Sequence, residues 1–367
     1  MRIVTVVGTR PQLIKVAALH AAIRARHEEI LVDTGQHWDD AMAGRFFEEL
    51  RLPQPDVSLG IGGGTASEQT GRMLPAIERV LASERPDAVM VLGDTNSTLS
   101  GALAAASAGI PVAHVEAGLR SFDRRMPEEV NRVVADHLAQ WCFAPTPTAM
   151  ANLATEGLAD KAVLTGDVMA DLLARVADEV RDPAALAEVG ARLGLPLRPG
   201  GYLFATVHRA ENRSLEAMRA WTALLGGVST AERPVVLALH PGTRAALASA
   251  AMALPPSVRV VEPQGYRSTL TLQLHAAAVL TDSGGVQREA AWLRTPCLIL
   301  RDRSEWVEAV ATSAGRMVVV GLDAVAAAGA LARLAPPADA EALAAARASA
   351  VSIDRPGADA AIAKALG

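Results

Sequence analysis

Residues 88–98 read Ala88-Val89-Met90-Val91-Leu92-Gly93-Asp94-Thr95-Asn96-Ser97-Thr98. Five consecutive apolar residues, a glycine, an acid and a cluster of hydroxyl and amide side chains predict a buried strand turning into a capped helix. A strand apolar at every position is covered on both faces, which is the habit of parallel sheets flanked by helices. The same pattern stands on either side. Ile3–Val7 precedes Gly8-Thr9-Arg10-Pro11, Val112–Val115 precedes Glu116-Ala117-Gly118, and Ile30–Asp33 and Trp141–Ala144 share the composition. After Gly166 the rhythm restarts with Tyr202–Thr206, Val235–Leu239, Val258–Val261, Ala278–Thr281, Cys297–Leu300 and Met317–Val320, separated by alanine-rich amphipathic stretches. Two such series, joined near residues 166–180, predict an α/β protein of two doubly wound, Rossmann-like domains. Ligands are then expected at strand C-termini, in a cleft between the domains. Pro356 and Gly357 punctuate the end of the chain, and Ala358–Leu366 is predicted as a terminal helix.

Composition narrows the function. The chain has 367 residues, enough for two domains, and half are apolar, so a large core forms and global disorder is excluded. Mean hydropathy is +0.22, yet no apolar stretch reaches the roughly 18 residues of a membrane span. The first residues, MRIVTVVGTRP, lack the long apolar region of a signal peptide. A net charge of −5 gives no basic footprint for nucleic acid. Two cysteines, Cys142 and Cys297, make neither a disulfide framework nor a cysteine-rich zinc site. A soluble, cytoplasmic protein is expected.

The unusual polar residues cluster where strands end. Gly8-Thr9-Arg10-Pro11-Gln12, with Lys15 on the following helix, reads as an anion site of backbone N–H groups and two cations. Asp94 is a candidate acid, base or electrostatic stabiliser, because Thr95 to Thr98 can cap the helix without it. Glu116 ends a buried strand and must be paired or useful there; Arg120 is its expected partner. Met126-Pro127-Glu128-Glu129-Val130-Asn131-Arg132 reads as a well-formed helix start, with Glu128 and Arg132 as i,i+4 neighbours. In the second half His208-Arg209 and His240-Pro241 follow strands, and the first pair suits a phosphate. Asp282-Ser283-Gly284-Gly285 opens a helix where a diphosphate can approach bare N–H groups, and Glu289, about one turn in, suits a ribose diol.

Taken in order, GTRPQLIK, TGQHWDD, GDTNST, HVEAGLRS, MPEEVNR, TVHRAEN, LHP, DSGGVQREA and LRDRSEW resemble the non-hydrolysing UDP-N-acetylglucosamine 2-epimerase family across nearly the whole chain. The resemblance implies two Rossmann-like domains in a glycosyltransferase-B arrangement. The N-terminal domain, 1–168, then carries the catalytic carboxylates, 169–352 binds UDP, and 353–367 forms a helix that packs back on the first domain. It implies an isomerase without redox cofactor or metal, interconverting UDP-GlcNAc and UDP-ManNAc by eliminating UDP to a 2-acetamidoglucal and adding it back. Asp94, Glu116 and Glu128 match the catalytic carboxylates and His208 the functional histidine. Arg10, Ser283, Gly284, Gly285 and Glu289 match UDP-holding positions, with Lys15 and Arg132 as further contacts. The family commonly forms homodimers.

Some positions depart from the family pattern. Gln12 stands where many members carry Glu. Trp38-Asp39-Asp40 replaces a segment that binds an activating second UDP-GlcNAc in some bacterial members. Ser304-Glu305-Trp306 stands where many read Thr-Glu-Arg-Pro, and Thr269 where some place an aromatic ring against uracil. Trp306, TGRML and SFDRRMPEE are similar to relatives acting on UDP-2,3-diacetamido-2,3-dideoxy-glucuronic acid, which makes that sugar the alternative substrate; Arg124, Arg125 or Arg303 would meet its carboxylate. A glycosyltransferase of the same architecture, a hydrolysing epimerase and a nucleotide-sugar-binding module are the remaining readings.

Overall fold

The computed structural model describes residues 1–36, 49–50, 52–336, 339–350 and 357–367. Trp38-Asp39-Asp40 lies outside them. The chain divides into two compact units, Met1–Leu172 with Asp354–Gly367, and Leu173–Ile353. The division falls inside a helix, Val168–Arg181, so the join read near 166–180 is regular structure rather than a loop.

The N-terminal unit holds a seven-stranded sheet in the order β3-β2-β1-β4-β5-β6-β7. Its strands are β1 (Arg2–Val7), β2 (Glu28–Asp33), β3 (Val57–Ser58), β4 (Ala88–Leu92), β5 (Val112–Val115), β6 (Trp141–Ala144) and β7 (Ala162–Leu164). All neighbours pair in parallel. The edge strands β3 and β7 escape sequence reading because they are two and three residues long. Val4, Val6, Val32, Val89 and Val91 are fully buried against Met73, Ile77, Ala102 and Ala105 from the flanking helices. Gly101 belongs in that layer because a Cβ there would lie 2.9 Å from Val91 Cγ1. The terminal helix Ala358–Ala365 packs on the helix Arg10–Arg24. His27 Nε2 lies 2.9 Å from the Ala363 carbonyl, and Asp171 accepts the Gly357 and Asp359 N–H groups at 2.8 and 3.0 Å.

The C-terminal unit repeats the plan with six parallel strands in the order β10-β9-β8-β11-β12-β13. They are β8 (Leu203–Val207), β9 (Val235–Leu239), β10 (Val258–Val261), β11 (Ala278–Thr281), β12 (Cys297–Ile299) and β13 (Met317–Val319). β8 runs one residue later than the sequence suggests, and Tyr202 just before it donates its hydroxyl to the Leu272 carbonyl at 2.8 Å. Trp221, Leu224 and Leu225 fill one face of the sheet, and Phe204, Val236 and Val279 line the other. In each unit the strand order reverses between the first strand and its neighbour, at β1/β4 and β8/β11. Such switch points leave a crevice at the carboxyl ends of the strands. Among the described residues no helix is long and apolar enough to cross a membrane.

Candidate active site

At the switch point of the first sheet the chain leaves β4 through Gly93, whose φ is +63°. Thr95 and Thr98 cap the helix Asn96–Ser107 reciprocally, each side chain accepting from the other's backbone N–H. The cap is complete without Asp94, whose carboxylate is ion-paired with Arg132. Asn131 Nδ2 adds a hydrogen bond to the Asp94 carbonyl at 3.0 Å. At the end of β5, Glu116 is ion-paired with Lys15, and both side chains are only 9% exposed. A Cβ on Gly93 would lie 2.7 Å from Lys15 Nζ and 3.4 Å from Glu116 Oε2, so this pair rests on the turn that carries Asp94. Two acids, each beside a cation, thus share one rim of one sheet.

Glu116 has a left-handed backbone, φ +70°, a conformation that costs an L-residue about 1–2 kcal/mol. Such cost is borne where a side chain must be aimed. Its expected partner Arg120 lies elsewhere. The left-handed turns at Glu116 and Gly118 (φ +81°) break the helical spacing, and Arg120 pairs with Asp136 at 2.7 Å and Glu156 at 2.6 Å. Glu128 and Arg132 are i,i+4 neighbours on the helix Pro127–Leu138, as expected, but Arg132 finds its partners elsewhere. Arg132 is buried and turns inward to Asp94 and, at 3.3 Å, to Glu129. Glu129 is buried and accepts the Ser121 N–H, the Ser121 hydroxyl and the Phe122 N–H at 2.8, 3.0 and 2.9 Å. Glu128 is left exposed on the first turn of the helix Pro127–Leu138. Arg10 is half-buried at the start of the helix Arg10–Arg24, which has no acid in its first turn. Gln12 ties that turn to β4, accepting from the Gly8 N–H at 2.9 Å and donating to the Leu92 carbonyl at 2.8 Å.

At the switch point of the second sheet, Asp282 is fully buried and accepts the His208 and Arg209 N–H groups at 3.0 and 2.9 Å and Asn212 Nδ2 at 2.7 Å. It fixes the turn after β8 and leaves the His208 side chain 41% exposed. The His240 ring meets that of His208 edge-on at 6.4 Å. Ser283 caps the helix Gly284–Trp292. A Cβ on Gly285 would meet only the Ser283 hydroxyl, at 3.9 Å, whereas one on Gly284 would lie 3.1 Å from Trp306 Nε1. The Gly284 and Gly285 N–H groups lie at the positive end of that helix on residues without a Cβ, the arrangement that receives a phosphate. Glu289 is buried one turn in and accepts from Gln273 Nε2 at 2.5 Å. Arg288 stacks on Trp306 at 4.0 Å. Arg209 lies 3.6 Å from Glu305, which also holds Arg301 at 2.7 Å. Thr269 donates its hydroxyl to the Gln264 carbonyl at 3.4 Å.

Comparison with known proteins draws these features together. The sequence profile described as UDP-N-acetylglucosamine 2-epimerase matches residues 21–355. The chain belongs to the UDP-N-acetylglucosamine 2-epimerase family. It is 43% identical over 332 residues to the UDP-2,3-diacetamido-2,3-dideoxy-D-glucuronate 2-epimerase of Pseudomonas aeruginosa, covering 89% of this chain and 90% of that one. It is 38% identical over 328 residues to the UDP-N-acetylglucosamine 2-epimerase of Methanocaldococcus jannaschii, covering 87% and 88%. The crystal structure of Methanocaldococcus jannaschii UDP-GlcNAc 2-epimerase with UDP-GlcNAc and UDP superposes with a TM-score of 0.85 at 33% identity, over 100% of this chain and 99% of that one. That structure has the glycosyltransferase-B-like fold, as does this chain.

Within the N-terminal unit, then, the fold brings together Asp94, Glu116, Lys15 and Arg132. Within the C-terminal unit it brings together Ser283, Gly284 and Trp306, with His208 held by Asp282. Sequence reading missed Asn131, Glu129, Asp136 and Asp282. Asn131 and Glu129 stand inside MPEEVNR, where a buried acid beside an exposed one looks like an ordinary acidic helix start. Asp282 precedes a glycine pair that draws attention to itself.

Proposed function

We propose that this protein is a non-hydrolysing UDP-sugar 2-epimerase acting in the cytoplasm, with UDP-GlcNAc and UDP-ManNAc as its substrate pair. The observation that carries the reading is Asp94 and Glu116 on one sheet rim, each against a cation, in a chain of this family. As the C1–O bond breaks, its electron pair leaves with the β-phosphate and positive charge builds at C1. The C2 hydrogen then becomes acidic, and a carboxylate takes it while the C2–H electrons form the C1=C2 bond of the 2-acetamidoglucal. Re-addition of UDP with proton delivery to the opposite face gives the epimer.

In this reading Asp94, Glu116 and Glu128, on domain 1–168, serve the chemistry at C1 and C2, with Arg10 holding UDP and Lys15 and Arg132 as further substrate contacts. Domain 169–352 holds UDP: Ser283, Gly284 and Gly285 receive the diphosphate, Glu289 the ribose diol, and His208 works beside the phosphate. The 43% identity to the Pseudomonas enzyme supports UDP-2,3-diacetamido-2,3-dideoxy-glucuronate as the alternative substrate. A homodimer follows from the family resemblance and is checked by sedimentation equilibrium.

The test is incubation with UDP-GlcNAc in D₂O, followed by proton NMR. UDP-ManNAc with deuterium at C2 and no free sugar is the expected result. Free ManNAc would replace this reading with a hydrolysing epimerase. No reaction with this sugar but C2 deuteration of the diacetamido uronate would move the substrate, and inertness toward both would overturn the epimerase reading.

A further inference from the structure

One buried charged cluster in the N-terminal unit touches both acid-bearing turns. His114 is fully buried on β5, with Nδ1 2.6 Å from Asp136 Oδ1 and Nε2 2.7 Å from the Gly93 carbonyl oxygen. A peptide carbonyl has no proton to give. Asp136 also accepts the Gly118 N–H at 3.0 Å and Arg120 Nη1 at 2.7 Å. Two donors on Oδ2, one of them a guanidinium that keeps its proton, hold Asp136 as the carboxylate whatever the state of the ring. An ionised carboxylate, too, only accepts. Both ring nitrogens of His114 therefore donate, which only the imidazolium does. Flipping the ring would set C–H groups against both oxygens.

The surroundings are consistent with that charge. Arg120 is also paired with Glu156 through Nε at 2.7 Å and Nη2 at 2.6 Å, and His137 lies 3.5 Å from Glu156. Cys142 Sγ donates to the Asp136 carbonyl at 3.5 Å. Burial, and then the Asp136 charge, push its thiol up to about 12, against the pull of Lys161 and Arg120, so it adds no negative charge at neutral pH.

Both turns hang from this cluster. Gly93, just before Asp94, gives its N–H to the Val115 carbonyl at 3.0 Å and its own carbonyl to His114. Two residues beyond His114, the turn at Glu116 is held by its N–H and that of Ala117 on the Phe143 carbonyl, at 3.1 and 3.0 Å. Gly118 then closes onto Asp136. We propose that His114 is a positioning residue, locked as an imidazolium between Asp136 and the Gly93 carbonyl, and that this ion pair sets the turns that aim Asp94 and Glu116. The kinetic part rests on the epimerase reading, whereas the ring's charge does not.

The test has two arms. In histidine-¹⁵N-labelled wild-type protein at neutral pH, with His114 assigned through its own backbone amide, both ring nitrogens are expected to be protonated. An unprotonated ring nitrogen there overturns the proposal, whether or not any variant folds. In the second arm, His114→Gln and Asp136→Asn are compared with wild type on the sugar that wild type epimerises. The expected result for folded variants is kcat lowered about a hundredfold with KM and UDP affinity little changed, the signature of misaimed groups rather than lost binding. Folded variants with wild-type kcat would overturn the positioning role. Wild-type inertness toward both UDP-sugars would defeat the epimerase reading instead, and leave the ring spectrum to decide the charge.

Discussion

β5 of the N-terminal unit and β8 of the C-terminal unit end alike, each followed by a turn pinned by a buried aspartate, but the pins are built differently. Asp282 works directly, gathering two backbone N–H groups and an amide from the turn it fixes. Asp136 works on Gly118 and, through the His114 ring, on Gly93 as well. The first device holds one turn, the one that displays His208. The second couples two turns, those of Asp94 and Glu116. The rims differ to match: acids beside Lys15 and Arg132 in one unit, a glycine-rich helix start in the other. The same order of central strands thus carries two different rims, set by the residues that follow each strand.

Substitutions should separate the two halves. Asp94→Asn strips a charge from the acidic rim and leaves the Arg132 guanidinium with a neutral partner. Turnover is expected to fall by about 10²- to 10⁴-fold, while UDP binding measured by calorimetry stays near wild type; equal losses in both would erase the contrast. Glu289→Gln is the reverse case. Losing a charged acceptor should weaken UDP binding about tenfold, the size of one charge-assisted hydrogen bond, with C2 exchange at saturating sugar little altered.

The smallest effect is on acid stability. Asp136 titrates below its ordinary 3.8, and Glu156, chiefly through its hydrogen bonds from Arg120, below its ordinary 4.5. Their stabilisation is therefore complete above those ordinary values and is lost as pH falls through the lower native ones. Circular dichroism should show unfolding setting in below about pH 4, with a shallower acid limb in a folded Asp136→Asn variant.

How much of this could be read from the chain depended on distance along it. Strands such as Ala88–Leu92 and Val112–Val115 announce themselves, since burial on both faces demands apolar residues at every position. The caps were legible too: Thr95 and Thr98 lie three residues apart and satisfy each other. Partnerships across the fold were not. Lys15 meets Glu116 from 101 residues away, and Arg132 reaches Asp94 across 38, whereas the nearer pairings Glu116–Arg120 and Glu128–Arg132 looked better on local spacing. Left-handed backbone at Glu116 and Gly118 decides the first case, and no composition signal marks it. His114 read as one more residue of a buried strand; only Asp136 and the Gly93 carbonyl on either side of its ring give it a charge.

In the proposed reaction the acidic rim acts on the hydrogen at C2, and Glu116→Gln probes that step. Wild-type and variant protein are incubated side by side with the UDP-sugar in D₂O, with UDP affinity measured in parallel. Wild type is expected to place deuterium at C2 as the epimer forms, and the variant to bind UDP equally well while exchanging at least about a hundredfold more slowly. A variant that exchanges at the wild-type rate, or a wild-type epimer that keeps its original hydrogen at C2, would contradict it.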